Sequence, residues 1–263
     1  MKILHIGDDS GIASITSNMC SKLGHPSVVL NDNPTEIWDH GEYYDNTALS
    51  KSADTLMQVV RQTQDKYDHI VYHNKFAIAA QLDDLHVPSS FMFHGNILRQ
   101  EPNLYHHVDS LESIDNLFVT TGDMLKYAPT AELFRRPVDL DLFVMDHESI
   151  RTDIGMCLTQ RRYFPEVNAI TDKEDNIVLV ADRLENVRSY QDMPEFLNNL
   201  KFYYDIKFQP TYPPMVIPEL SQTALEALAC GVAVWSNGIW FTKFPDIHSD
   251  EWTCKEFISV LLE

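Results

Sequence analysis

Apolar residues come in short runs separated by polar turns, and their spacing switches repeatedly between strand and helix periods. Lys2-Ile3-Leu4-His5-Ile6 reads as a buried strand, and the turn Gly7-Asp8-Asp9-Ser10-Gly11 leads into a helix lasting to about Leu23. Gly24-His25 closes that helix, and Val28-Val29-Leu30 is the next strand. The alternation continues with a helix over 52–66, a strand over 69–72, a short helix over 75–83, and strands over 90–93, 117–121 and 131–134. Near-continuous apolar strands joined by helical stretches predict a parallel sheet covered on both faces.

Beyond about residue 145 the pattern restarts. Residues 147–162 read as a helix or a partly irregular connection, 176–183 as a strand, 191–200 as a helix and 202–208 as a strand. The stretch 209–218 holds four prolines, which excludes a helix there. Ser221 then stands as an N-cap, and Leu225, Leu228 and Ala229 make one apolar helix face. Gly231 fits a left-handed helix end, Val232-Ala233-Val234-Trp235 a buried strand, and 250–262 a final helix. The expected class is α/β, with two Rossmann-like domains over 1–145 and 146–263. The last helix is free to pack back on the first domain.

Composition narrows the partners. The 263 residues carry a net charge of -19, which argues against nucleic acid and against a broad electrostatic hold on anionic membrane. No apolar run reaches the length of a membrane span, so peripheral membrane contact is the most to be expected. The chain starts directly in a strand, unlike a signal peptide. Cys20, Cys157, Cys230 and Cys254 are widely spaced and form no Cys-x-x-Cys pair, which predicts reduced cysteines and a cytoplasmic protein.

Candidate chemistry gathers at a few turns. The first glycine turn lacks the spacing of a dinucleotide fingerprint, which removes a dehydrogenase reading; Gly11 serves either a close ligand approach or a tight turn. A helix entered through Ser221 and Thr223 offers outward N–H groups to an anion, and Glu226, one turn inside, is placed to accept hydrogen bonds from a polyol. The same residues also suit a plain well-capped helix. His94, before Gly95, falls at the carboxyl end of a strand, where open α/β sheets receive ligands. Arg183 and Arg188, five positions apart, and Lys207 are cations available to phosphates or to exposed ion pairs. Arg99 either shapes a cleft or pairs with Glu101, and Lys207 could equally pair with Asp205.

Several of these segments resemble the retaining nucleotide-sugar glycosyltransferases of the GT-B fold, of the family-4 kind. Leu225-Glu226-Ala227-Leu228-Ala229-Cys230-Gly231 is similar to the donor-site signature, His94-Gly95-Asn96-Ile97-Leu98-Arg99 to the His-Gly-x-x-Leu-Arg segment, and Val138-Asp139-Leu140-Asp141-Leu142-Phe143 to the interdomain Val-Asp-x-x-x-Phe motif. The resemblance implies two Rossmann-like domains facing each other across a cleft, with an abbreviated C-terminal donor domain. It implies a nucleotide-diphosphate sugar as donor, no cofactor and no metal, and a glycan, lipid-linked or small-molecule acceptor. His94 and Glu219 would contact the transferred sugar. Arg183, Arg188 and Lys207, with the N–H groups at Ser221 and Thr223, would hold the diphosphate, and Glu226 the ribose. The chain departs from the pattern in three places: Glu219 lies seven rather than eight positions before Glu226, Arg188 replaces a lysine, and Ser189 a glycine. The shortened donor half keeps a second expectation open, a degenerate protein of this fold that binds a nucleotide sugar or a partner enzyme without catalysis. A third is another enzyme of the same fold, such as a sugar-nucleotide epimerase or hydrolase.

Overall fold

The computed structural model describes residues 1–8, 11–32, 43–95, 97–157, 177–181, 189–205, 208–209, 215–216 and 219–262. The chain divides into two compact units, Met1–Pro137 with Asp250–Glu263, and Val138–Ser249.

Seven strands build the first unit: β1 Ile3–Ile6, β2 Ser27–Asn31, β3 Thr47–Leu49, β4 His69–His73, β5 Ser89–Phe93, β6 Ile114–Val119 and β7 Glu132–Leu133. All pair in parallel, in the order β3-β2-β1-β4-β5-β6-β7. The connections are α1 Ile12–Lys22, α2 Ala53–Thr63, α3 Phe76–Gln81, α4 Ile97–Gln100 and α5 Leu104–Asp109. The chain runs outward from β1 to β3 and then resumes on the other side of β1 with β4. That reversal makes a switch point at the carboxyl ends of β1 and β4, the usual ligand position in such sheets.

Strand alternation sorts the side chains. Leu4, Ile6, Ile70, Tyr72, Phe91 and Phe93 are fully buried in one cluster with Leu56 and Val60 of α2. Alternate positions on the other face carry His5, Met92 and Phe118. The C-terminal helix, numbered below in chain order, belongs to this unit and packs on α1. Its Phe257 ring lies 5.3 Å from that of Phe118 and 5.1 Å from that of Phe134. Burying one such phenylalanine is worth about 1.5–3 kcal/mol.

The second unit holds β8 Asp153–Cys157, β9 Ile177–Ala181, β10 Leu200–Tyr204, the short antiparallel pair β11 Phe208–Gln209 and β12 Met215–Val216, then β13 Ala233–Ser236 and β14 Ile239–Phe241. Its main sheet runs β14-β13-β10-β8-β9, parallel except for β14. Helices α6 Met193–Asn198 and α7 Gln222–Ala229 belong here, and α8 Asp250–Leu262 is the C-terminal helix described above. No helix among the described residues is long and apolar enough to cross a membrane.

Strand β8 corrects the expectation of a helix or irregular connection over 147–162. Asp153 and Gly155 weaken its strand signal, yet it lies between β9 and β10. A Cβ on Gly155 would stand 2.4 Å from Leu200 Cδ1 and 2.9 Å from Tyr203 Cδ2, so the bare backbone is what lets those side chains close over the strand. The predicted single strand over 202–208 is also corrected, since β10 ends at Tyr204 and β11 begins at Phe208. The motif over 138–143 folds as a turn, with Phe143 N–H donating to the Asp139 carbonyl at 2.8 Å and Asp141 N–H to the Asp139 carboxylate at 3.1 Å.

Candidate functional site

At the carboxyl edge of the first sheet, three neighbouring strands place histidines on one face. The registers pair His5 with Val71 and His73 with Met92, so each histidine stands two residues further toward the carboxyl edge than the one before. An offset of two keeps all three side chains on the same face. His5 Nδ1 lies 2.8 Å from His73 Nε2, and His73 Nδ1 lies 2.7 Å from His94 Nε2. All three rings are at least 97% buried. Burial, then the neighbouring His69, lowers the His5 pKa to about 3. Burial, then the Arg136 guanidinium and His5, lowers His94 to about 3. His73 is held well below 6.5 by burial, His94 and His5. The rings are therefore neutral at physiological pH. They are linked in series rather than around a point, and among the described residues no group of three or more His, Cys, Asp or Glu is placed to hold a metal ion.

Of these three, sequence reasoning singled out His94; His5 was read as a strand residue, and His73 fell just beyond the strand predicted over 69–72. The backbone of His94 is fixed by its neighbour strand. Asn74, in the left-handed region at φ 57°, accepts the His94 N–H at 2.8 Å through Oδ1. Arg99 lies beyond Gly95 and forms its ion pair with Asp123: Nε donates at 2.8 Å and Nη2 at 2.5 Å. The same guanidinium donates to the Gly95 carbonyl at 2.5 Å and to Thr121 Oγ1 at 2.7 Å. Burial raises the Asp123 pKa, but the hydrogen bonds and charge of Arg99 outweigh it and leave the carboxyl below its ordinary range.

Gly11 sits at φ 73° immediately before α1 and offers its carbonyl to Ile15 N–H at 3.1 Å. It provides no side-chain cap, and Asp8, at the end of β1, supplies one from a distance. The Asp8 carboxylate accepts Ser14 N–H at 3.2 Å and also the Ser14 hydroxyl. An anion there complements the positive end of α1. Beside it, Lys75 Nζ pairs with Asp32 at 2.9 Å. A Cβ on Gly7, at φ +86°, would come within 2.6 Å of Lys75 Cε and 3.0 Å of the His73 carbonyl, so the bare backbone lets that lysine cross the turn.

In the second unit, Ser221 is the N-cap of α7, its hydroxyl accepting Ala224 N–H at 3.1 Å. Its own N–H donates at 2.9 Å to Asp205, which is buried at the carboxyl end of β10. Asp205 was missed as a site residue because the sequence offered it only as a partner for Lys207. Thr223 and Glu219 are half-buried, in the first turn of α7 and in the approach to it. Glu226 is 3% exposed within the helix. Burial, and then the Glu226 carboxylate, pushes the Cys230 thiol up to about 12 despite Arg151, so this thiol is inert. Arg151 caps the other end of α7, donating to the carbonyls of Cys230 at 2.7 Å and Gly231 at 2.6 Å. Arg183, Arg188 and Lys207 lie outside the described residues.

No protein-family model matches the chain, and no curated protein matches it in sequence. Among solved structures it is similar to a UDP-N-acetylglucosamine 2-epimerase, at 11% identity over 99% of this chain and 95% of that chain, with a TM-score of 0.56. It also aligns with MurG of Acinetobacter baumannii (10% identity, 99% of this chain and 84% of that chain, TM-score 0.43) and with a UDP-glucosyltransferase of Polygonum tinctorium (8% identity, 89% and 79%, TM-score 0.45). With its two parallel-sheet units and its likeness to the epimerase, the chain is an α/β protein of the GT-B fold.

Proposed function

We propose that the protein is a glycosyltransferase that moves a sugar from a nucleotide-diphosphate donor to a glycan, lipid-linked or small-molecule acceptor, with retention at the anomeric carbon and without a metal. The observation that carries this reading is that two of the three resembling motifs fall where doubly wound sheets take ligands. His94-Gly95 follows β5 at the carboxyl edge of one sheet, and the Ser221–Glu226 turn begins the helix held by Asp205 at the end of β10. In this reading His94 contacts the sugar and Glu219 one of its hydroxyls. Glu226 takes the ribose, while Arg183, Arg188, Lys207 and the N–H groups around Ser221 and Thr223, that of Ser221 itself being held by Asp205, stabilise the leaving diphosphate. Gly11 lets the donor approach the backbone closely.

Transfer needs charge stabilisation that strengthens as the glycosidic bond breaks, and fixed donors in a dry site supply it. A thermal-shift screen against UDP, GDP, ADP, CMP and their sugar conjugates tests donor binding, because a ligand that binds only the folded state raises its melting temperature. The panel includes UDP-N-acetylglucosamine, the compound named for the epimerase of similar fold. Stabilisation by one nucleotide series is the expected result. Glu226→Ala is expected to weaken that binding by about 10- to 100-fold, the cost of losing a charged hydrogen-bond acceptor; unchanged affinity takes Glu226 out of the site. His94→Ala is expected to lower kcat about 100-fold while nucleotide affinity changes little. Equal turnover would remove His94 from the chemistry.

One observation favours the second reading, binding without catalysis, in its form of a partner enzyme rather than a nucleotide sugar. The Ser221 N–H already donates to the Asp205 carboxylate, so an acidic group stands at the end of α7 where a phosphate would be received. No stabilisation of the folded protein by any nucleotide or nucleotide sugar would decide for that reading.

A further inference from the structure

The His5–His73–His94 series has a direction, and the two ends of the series fix it. Each neutral imidazole carries one N–H, so the two ring-to-ring bonds allow only two arrangements. In the first, every Nδ1 donates, which leaves an N–H on His94 Nδ1 and a bare lone pair on His5 Nε2. In the second, every Nε2 donates, which leaves the N–H on His5 and the lone pair on His94. Both terminal nitrogens are buried without a hydrogen-bond partner among the described residues.

The ends differ in their surroundings. His5 is fully buried inside the sheet face, with the Phe257 ring stacked 6.5 Å away. His94 stands at the carboxyl edge, next to the Gly95 turn and within electrostatic reach of Arg136. A stranded buried N–H is rarer than an under-used acceptor. Its cost is also avoidable only where a ligand oxygen can reach it. The free N–H therefore belongs at the His94 end.

We propose that His94 presents its Nδ1–H as a fixed hydrogen-bond donor to a hydroxyl oxygen of the bound ligand, and that His73 and His5 are positioning residues that set this tautomer. The identity of that ligand rests on the transferase reading; the tautomer does not. Arg136, a cation on the same side, disfavours an imidazolium at His94 and favours an electron-rich oxygen beside it. His94 is thus a poor general base, since its Nδ1 has no lone pair to offer.

Long-range proton–nitrogen correlation spectra of the ligand-free protein, with histidine nitrogens labelled and assigned through the backbone, test this directly. All three rings are expected in the Nδ1–H form, and an Nε2–H form at His94 overturns the proposal. His73→Leu removes the middle of the series. In that variant, with folding checked by its backbone spectrum, His94 is expected to leave the Nδ1–H form for the commoner Nε2–H form. An unchanged His94 tautomer would show that His73 does not set it. Neither readout needs a nucleotide, so a failed donor screen would leave both results standing.

Discussion

Acidification from about pH 7.5 to about pH 5 is expected to cost the unit built from Met1–Pro137 and Asp250–Glu263 several kcal/mol, about 2 kcal/mol for each of His5 and His94, with His73 acting in the same direction. In the unfolded chain each imidazole takes up a proton below its ordinary value of 6.5, whereas His5 and His94 stay neutral in the native unit down to about 3. The unfolded state thus binds more protons between those values, so stability rises with pH across the window and falls as acid is added. His69, lowered to about 4 chiefly by burial, acts in the same direction. With total stabilities of domains near 5–15 kcal/mol, a loss of this size brings the unit close to unfolding near about pH 5. Urea midpoints followed at several pH values check it. A midpoint that does not move between neutral pH and about pH 5 would mean that the three rings are not buried together as described.

Arg99→Met is expected to destabilise the same unit by about 3–5 kcal/mol. The arginine side chain is 1% exposed and its partner Asp123 13%, so truncation strands a carboxylate with little access to water. It also releases the Gly95 carbonyl and the Thr121 hydroxyl. Arg99→Lys is expected to recover little, because one ammonium cannot replace a planar fork that reaches Asp123, Gly95 and Thr121 together. The double variant Arg99→Met/Asp123→Leu is expected to recover a substantial part, since removing both charges eliminates the stranded one. Urea unfolding of the four proteins measures the coupling. Additive costs would show that the pair is not a unit. Because Arg99 also holds the Gly95 carbonyl, the single variant loosens the turn that carries His94.

Much of the first unit could be read from its sequence, because most strands there are short apolar runs and the turns are punctuated by Gly, Asp or Ser; the largely exposed β3 was not predicted. His94 was legible for the same reason: it ends such a run. His5 and His73 were not, since their link to His94 depends on β4 lying between β1 and β5, an order that no local pattern states. Asp8 looked like one more turn residue; its reach to Ser14 appears only once α1 is set beside β1. In the second unit the Ser221 cap was legible from residue type, while its anchor Asp205 lies sixteen positions upstream, across the proline-rich stretch. Strand β8 was hidden because the glycine that weakens its local preference is the feature that admits Leu200 and Tyr203. Apart from Asp8, whose partner is six positions away, the missing information was a long-range contact, which favours a residue that is locally unremarkable.

The first unit is discontinuous: its sheet is complete by Pro137, but α8, with Phe257 against Phe118, Phe134 and His5, arrives only after the whole of Val138–Ser249. During synthesis at about 5–20 residues per second, that face of the sheet waits for about ten seconds with its phenylalanines and its imidazole uncovered. The segment made first is finished last, and the second unit has time to fold while the first is still open. A ribosome-bound chain stalled before Asp250 would therefore display a sticky, proton-accepting surface that the released protein conceals, which makes the nascent chain, rather than the mature one, the form most in need of a chaperone.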